Sequence, residues 1–135
     1  MVWGGDSRGC QVALHLSRRG RQITVLEAGN VLGYGLEPAT SKVLVETLRQ
    51  RGVRFFTGIQ VAEIRPGAVA CLDSQGGELE VAAETVVLAQ GEQAAEVLPE
   101  WITALPVEVY PLPYCGEPRN ALRAAQAGAS LARRL

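Results

Sequence analysis

Residues 1–27 of the chain read MVWGGDSRGCQVALHLSRRGRQITVLE. A short apolar strand, residues 2–3, leads into a glycine-rich turn, residues 4–9, which opens an amphipathic segment. A second apolar run, residues 22–26, ends on Glu27. Glycines at the first strand–helix turn and a carboxylate about 20 residues further on are the layout of a dinucleotide-binding βαβ unit. This stretch therefore predicts a parallel sheet with crossover helices.

The glycine-rich turn departs from the usual G-x-G-x-x-G pattern at one place. Gly4 supplies the first glycine, for the tight turn, and Gly9 the third, for helix–strand packing, but Asp6 stands at the second. Its carboxylate can narrow the approach of a pyrophosphate and repel it, or it can cap the helix by accepting the N–H bonds that a phosphate would take. Arg8 can offset the charge if its side chain points at the ligand.

Glu27 ends the second predicted strand. In this fold an acidic residue there accepts hydrogen bonds from the 2′-hydroxyl of an adenosine ribose and repels a 2′-phosphate. The next three residues, 28–30, include no Arg that could accommodate such a phosphate. If a nicotinamide dinucleotide binds, we therefore expect NAD to be preferred over NADP. The alternative is a solvated carboxylate at the end of a strand.

The rest of the chain alternates helical and extended patterns in an order typical of α/β proteins. We expect an α/β, Rossmann-like parallel sheet with two crossover helices, a three-stranded antiparallel meander and a C-terminal helix. The predicted elements are helices over 7–19 and 38–51, a third parallel strand over 54–57, meander strands over 61–64, 68–72 and 78–82, a buried return strand over 85–89, a helical or irregular stretch over 93–102, an extended piece over 107–112, and a closing helix over 120–135.

Composition restricts the function classes. The 135 residues carry a net charge of −1 with acidic and basic residues interspersed, which favours neither a nucleic-acid surface nor an anionic membrane as partner. The three cysteines, Cys10, Cys71 and Cys115, form no C-x-x-C pair, so we expect reduced thiols and no metal site. Neither a signal peptide nor a membrane-spanning run is apparent, and we expect a cytoplasmic protein.

Several motifs occur in the order found in one known family. They are residues 2–5 with 9–13, residues 24–27, Leu32-Gly33, Glu37-Pro38, residues 86–89 with Gly91, and Cys115 with residues 117–119. The chain resembles the nicotinamide-nucleotide part of the NADH:flavin oxidoreductases typified by 2,4-dienoyl-CoA reductase and trimethylamine dehydrogenase, within the pyridine nucleotide-disulfide oxidoreductase-like proteins. The resemblance divides the chain into residues 1–105, an NAD(P)-binding-like domain, and residues 106–135, a tail resembling the end of the FAD domain.

The resemblance implies NADH, or ADP as in some members, bound to this chain, with FAD and an FMN-containing barrel supplied by domains outside it. The chain departs from the family at Asp6, at Gln90 and Ala94 in the place of Thr and Pro, and at Pro113-Tyr114 in the place of the Gly-Asp that holds the FAD ribityl chain. We therefore expect FAD only if a missing domain supplies it. The expected cofactor-binding residues are Gly4, Gly5, Asp6, Ser7, Arg8, Gly9, Glu27 and Gly91.

Three functional hypotheses follow. The first is a nucleotide-binding module that positions a dinucleotide for hydride transfer to a flavin held elsewhere. The second is a degenerate structural or assembly module, closed by Asp6, with a possible homo-oligomeric interface. The third, a self-contained enzyme, is disfavoured because no reactive side chain has an adjacent base and orienting group in sequence, so no catalytic residue is assigned. The reactive candidates are Ser7, Cys10, His15, Tyr34 and Cys115.

Overall fold

The computed structural model describes residues 1–91, 100–110 and 121–134. The chain divides into two compact units, Met1–Gly91 and Glu92–Leu135. The first unit contains β1 (Val2–Trp3), α1 (Ser7–Arg18), β2 (Thr24–Glu27), α2 (Pro38–Gln50), β3 (Arg54–Thr57), β4 (Gln60–Arg65), β5 (Ala68–Leu72), β6 (Glu78–Ala82) and β7 (Val87–Leu88). In the second unit the described residues form α3 (Glu100–Thr103) and α4 (Ala121–Ala132).

Four strands form a parallel sheet in the order β3-β2-β1-β7. Val2 of β1 pairs with Val25 of β2 on one side and with Val87 of β7 on the other. β3 pairs with β2 along its whole length. Because a helix fills each of the crossovers β1–β2 and β2–β3, this order confirms the Rossmann-like sheet predicted from the sequence.

Both crossover helices pack on one face of the parallel sheet. Val2 and Val25 of the strands form a buried cluster with Cys10 and Ala13 of α1 and Leu48 of α2. The amphipathic character predicted for α1 is confirmed, since Ala13 is fully buried, the neighbouring apolar residues of α1 pack against the cluster, and His15 is exposed. The helix boundaries lie one residue short of those predicted, at Arg18 and Gln50.

The antiparallel sheet, in the order β4-β5-β6, lies against the other face. Leu26, which points away from the helices because side chains alternate along a strand, is buried with Ile59, Val69, Cys71 and Val81. A register shift between Val61 and Glu63 interrupts the β4–β5 ladder. The predicted meander is confirmed, and the first unit therefore has three layers.

The return strand differs from its prediction. We expected a buried strand over residues 85–89, but β7 contains two residues, and Leu88 is 65% exposed. β7 is the terminal strand of the sheet, and β1 is its sole neighbour among the described residues. The apolar run over residues 85–89 therefore does not form a strand buried on both faces, because burial of a strand depends on neighbours that are distant in sequence.

The described part of the second unit is mostly helical. α4 agrees with the predicted closing helix over 120–135. The predicted helical stretch over 93–102 is described only from residue 100, and residues 107–110 of the predicted extended piece form no strand. The domain division at residue 105 stays a prediction. Among the helices within residues 1–91, 100–110 and 121–134, none has the length and apolar character needed to cross a membrane.

Candidate functional site

The turn between β1 and α1 is closed by direct backbone contacts. Gly4 has a φ of 118°, and a Cβ placed on it would overlap the carbonyl of Ala89. A Cβ on Gly9 would overlap the carbonyl oxygen of Gly4. The first turn of α1 therefore lies directly on the strand–helix turn, which is the packing expected of the first and third glycines of the pattern.

Glu27 ties the end of β2 to this turn. One carboxylate oxygen accepts the backbone N–H of Gly5 at 2.5 Å, and the other accepts that of Gly29 at 2.7 Å. Gly5 is enclosed as well, since a Cβ on it would lie 2.7 Å from Leu32 Cδ2 and 2.9 Å from Glu27 Cβ. Glu27 is half-buried, and these two hydrogen bonds hold its carboxylate in place.

Asp6 caps helix α1. Its backbone is extended, and Oδ1 accepts the backbone N–H groups of Arg8 at 3.0 Å and of Gly9 at 2.8 Å. Of the two alternatives that the sequence left open, the structure has the capping aspartate. The carboxylate thereby takes donors that a bound phosphate would use at a helix N-terminus.

The loop after β2 closes the other side of the same turn. The N–H of Gly33 donates to the carbonyl of Gly5 at 2.7 Å, and the N–H of Ser7 donates to the carbonyl of Tyr34 at 2.8 Å. Asp6 and Tyr34 form an isolated parallel β-bridge. No role for this loop backbone was predicted, and its one local sequence signal is a tyrosine between two glycines, Gly33 and Gly35, both of which have positive φ.

The reactive candidates do not form a catalytic group among the described residues. Cys10 is fully buried, and its Sγ donates to the carbonyl of Gly5 at 3.3 Å, so it packs in the core beneath the turn. His15 is exposed on α1, and Tyr34 is 77% exposed. Cys115 lies outside the described residues. Within residues 1–91, 100–110 and 121–134 no group of three or more His, Cys, Asp or Glu side chains could hold a metal ion.

The remaining predicted site residues are Ser7, Arg8 and Gly91. Ser7 is half-buried at the start of α1, and Arg8 is exposed one residue later. Gly91 is exposed, with open space around its Cα, so its role in binding stays a prediction. Ala94 and Pro113-Tyr114, at which the chain departs from the resembling family, lie outside the described residues.

Burial and charge both act on the Cys10 thiol beneath the turn. Burial raises the pKa of Cys10, and the nearby carboxylates of Asp6 and Glu27 raise it further, whereas the Gly33 backbone opposes them. The thiol therefore stays protonated at neutral pH.

An open groove on the antiparallel sheet is separate from this turn. It encloses about 530 Å³ and is lined by residues of β4, β5 and β6, among them Ala70 and Leu72. Arg65 lies 2.6 Å from Glu63 and 3.6 Å from Glu80 beside it. These ion pairs are exposed and contribute little to stability. We place the candidate site at the glycine-rich turn, where enclosed backbone and oriented carboxylates meet.

Comparisons with known proteins relate the chain to one family. Residues 1–110 match the family model described as pyridine nucleotide-disulphide oxidoreductase. The chain is 30% identical over 92 residues to an NADH oxidase of Thermoanaerobacter brockii, an alignment that covers 68% of this chain and 14% of that protein.

Solved structures show the same fold. A 2-naphthoyl-CoA reductase in complex with 2-naphthoyl-CoA superimposes with a TM-score of 0.80 and 22% identity, over 99% of this chain and 20% of that one. A thioredoxin reductase of T. acidophilum superimposes with a TM-score of 0.58 and 22% identity, over 67% and 30% of the two chains. The chain thus spans between a seventh and a third of these proteins.

Proposed function

Because the chain belongs to the pyridine nucleotide-disulphide oxidoreductase family, we propose that Met1–Gly91 is the nucleotide-binding domain of a flavin-dependent NADH oxidoreductase. NADH, or ADP in a non-catalytic variant of the site, would lie across the carboxyl ends of β1 and β2. When bound, NADH supplies the hydride, and the flavin that receives it would be held outside this chain. We expect the isolated chain to bind nucleotide without catalysing a reaction.

The observation that carries this proposal is the fixed position of Glu27. Its carboxylate lies at the end of β2, held by the N–H groups of Gly5 and Gly29. Each carboxylate oxygen has a further lone pair that can accept a hydrogen bond from a ribose hydroxyl. The same charge would repel a 2′-phosphate, so we propose NAD(H) rather than NADP(H) as the ligand.

The other proposed binding residues surround this carboxylate. Gly4 and Gly9 allow the turn to close, as their contacts show. The proposed cofactor-binding set is Gly4, Gly5, Asp6, Ser7, Arg8, Gly9, Glu27 and Gly91. The finer assignment, to the 2,4-dienoyl-CoA reductase and trimethylamine dehydrogenase type, rests on the resembling motifs, and under it an FAD domain and a barrel are the expected partners.

A second candidate is favoured by one observation. Asp6 already accepts two backbone N–H groups at the start of α1, those of Arg8 and Gly9. A domain in which this cap is permanent would serve as a degenerate, non-catalytic structural or assembly module, with a homo-oligomer as one arrangement. Its dinucleotide site would then be a relic of the fold.

Calorimetric titration of the 135-residue chain with NADH, NADPH, ADP and FAD tests the proposal. We expect NADH to bind about tenfold or more tightly than NADPH, because the like charges of Glu27 and the 2′-phosphate repel each other. Glu27→Ala should bring the two affinities close together. Glu46→Ala is the matched control, because Glu46 is an exposed glutamate on α2 that pairs with Arg49 at 3.9 Å.

The outcome also separates the two candidates. A wild-type chain that binds none of the four ligands contradicts the first candidate for the isolated chain. If Asp6→Gly then restores binding, the Asp6 side chain has closed the site. If Asp6→Gly also binds none of the four ligands, either the chain is a degenerate module or a missing domain is needed to complete the site.

A further inference from the structure

We infer that the site recognises the ribose of its ligand and gains no affinity from the ligand's phosphates, so that adenosine, AMP and ADP bind about equally well. This inference rests on the proposed function and specifies the ligand chemistry of the same site. It is carried by the hydrogen bonds of the glycine-rich turn and by the charges that surround it.

The first step concerns the donors at the start of α1. A phosphate binds at a helix N-terminus through backbone N–H groups that the helix itself leaves unpaired. In this chain the N–H of Ser7 donates to the Tyr34 carbonyl, and the N–H of Cys10 donates to the Asp6 carbonyl at 2.9 Å. The two N–H groups between them donate to Asp6 Oδ1. The N–H groups of Ser7, Arg8 and Gly9, which the helix itself leaves unpaired, are therefore all occupied by acceptors of the protein.

The second step concerns the closure of this arrangement from two sides. The cap comes from the turn itself, at Asp6, and the Tyr34 carbonyl comes from the loop after β2. That loop is anchored in turn, because Gly33 donates to Gly5 and the Ser41 hydroxyl donates to the Leu32 carbonyl at 3.1 Å. An entering phosphate would have to displace acceptors on two separately anchored segments.

The third step concerns charge. Asp6 and Glu27 both lie close enough to the buried Cys10 to raise its pKa, in addition to the effect of burial. Two carboxylates therefore lie near each other, Asp6 at the start of α1 and Glu27 at the end of β2, in a turn that also carries Arg8. A phosphate group brings further negative charge to this place, whereas a ribose brings none.

The fourth step concerns complementarity of donors and acceptors. Carboxylates are acceptors when ionised, and so are phosphates, while ribose hydroxyls can donate. Among the acceptors that the turn still offers a ligand are the remaining lone pairs of Glu27, whose present partners are Gly5 and Gly29. The site therefore fits a ligand that brings hydroxyl donors, which is the nucleoside part of a nucleotide.

Titration of the 135-residue chain with adenosine, AMP and ADP in parallel tests this inference. We expect the three dissociation constants to agree within about threefold. Asp6→Gly removes the acceptor of the Arg8 and Gly9 N–H groups, so that they can donate to a phosphate. In this variant ADP should bind about tenfold or more tightly than adenosine. Asp6→Asn keeps a capping side chain and removes its charge, so we expect a ratio between those of the wild type and of Asp6→Gly.

Asp73→Gly is the matched control. Asp73 Oδ1 accepts the N–H groups of Gln75 at 2.8 Å and Gly77 at 2.7 Å in the β5–β6 turn, which is the same kind of cap in the other sheet. Removing it should leave the ratio of ADP to adenosine affinity unchanged. A ratio that moves equally in both variants would attribute the effect to general loosening and overturn the inference.

The wild-type series is decisive even if a variant fails to fold. If ADP binds about tenfold or more tightly than adenosine to the wild type, the inference is wrong while the proposed function stands. If adenosine, AMP, ADP and NADH all fail to bind, the proposed function fails and the inference falls with it. Equal affinities for adenosine, AMP and ADP support both the inference and the proposed function.

Discussion

The two strand–helix–strand units of the first compact unit share a plan but differ in how tightly they close. Each helix ends before a glycine with positive φ, Gly20 at 75° and Gly52 at 78°, and a Cβ on either would meet open space. At the start of α1, in contrast, Cβ atoms on Gly4 and Gly9 would overlap backbone carbonyls. The turn between β1 and α1 needs glycine because a Cβ has no room there, whereas the helix ends need glycine because of its backbone conformation.

This difference indicates which junction is specialised. A helix end that needs only a left-handed residue is a common way to stop a helix. A turn without room for a Cβ brings backbone from β1 and α1 into direct contact beside Glu27 of β2, where two parallel strands end. In α/β sheets, ligands bind at such strand ends. The tight junction therefore coincides with the candidate site.

The largest expected effect is that of Gly9→Ala. The new Cβ would overlap the carbonyl oxygen of Gly4, a backbone atom that cannot rotate away. Either α1 shifts off the sheet or the turn deforms, and we expect the free energy of unfolding to fall by about 3 kcal/mol or more. Urea denaturation followed by circular dichroism measures this loss.

Gly52→Ala is the paired variant that isolates the conformational cost. Its Cβ meets open space, so the loss comes from the positive φ alone and should be roughly 1–2 kcal/mol. If Gly9→Ala cost no more than Gly52→Ala, the distinction between glycines needed for space and glycines needed for conformation would be wrong for this turn.

A smaller effect is expected at the contact between the C-terminal ends of α1 and α2. Arg51 follows α2, and its Nε donates to Ser17 Oγ of α1 at 2.9 Å while Nη2 donates to the Ser17 carbonyl at 3.2 Å. Arg51→Ala should lower the free energy of unfolding by about 1–2 kcal/mol, because two charge-assisted hydrogen bonds are lost at a partly buried position. Thermal denaturation monitored by circular dichroism detects such a change.

Arg49→Ala is the control for charge and helix propensity. Arg49 lies two residues earlier on α2 and contacts Glu46 at 3.9 Å with both side chains exposed. Its loss should change stability by less than about 0.5 kcal/mol. Equal effects at the two positions would mean that the contact between α1 and α2 does not depend on Arg51.

The sequence predicted the architecture because local patterns specify it. The predicted elements depend on neighbours within a few residues. Examples are the glycine that ends each crossover helix, the third strand over residues 54–57, and the Pro66-Gly67 turn of the meander. The exposure of Leu88 could not be predicted in this way, since it follows from the place of β7 at the end of the sheet.

The candidate site was predictable in position but not in detail. The spacing from Gly4 to Glu27 located it, because both residues follow directly from the βαβ pattern. The direction of the Asp6 side chain and the contact of the Tyr34 carbonyl with Ser7 were not predictable, because they depend on how the loop after β2 folds back. That fold-back joins residues that are distant in sequence and carries no periodic signal.

The smallest expected effect concerns the Glu37 cap of α2 and its contribution to stability as the pH falls. Glu37 caps α2, and its carboxylate accepts the N–H of Thr40 at 3.1 Å from a fully exposed position. Backbone hydrogen bonds from Ala39 and then Thr40 hold the pKa of Glu37 below its usual range. A carboxyl whose folded pKa is lowered stabilises the folded state above its unfolded pKa, about 4.3, and loses that contribution as the pH falls through the folded pKa.

We therefore expect the wild type to lose slightly more stability than Glu37→Gln between neutral pH and about pH 3. The two chains should differ most near neutral pH and converge in acid, and denaturant midpoints measured across this range show it. Because the carboxylate is solvated, the difference should be small and should shrink further in high salt. A constant difference at all pH values would mean that the cap acts through hydrogen bonding alone, without linkage to the ionisation of Glu37.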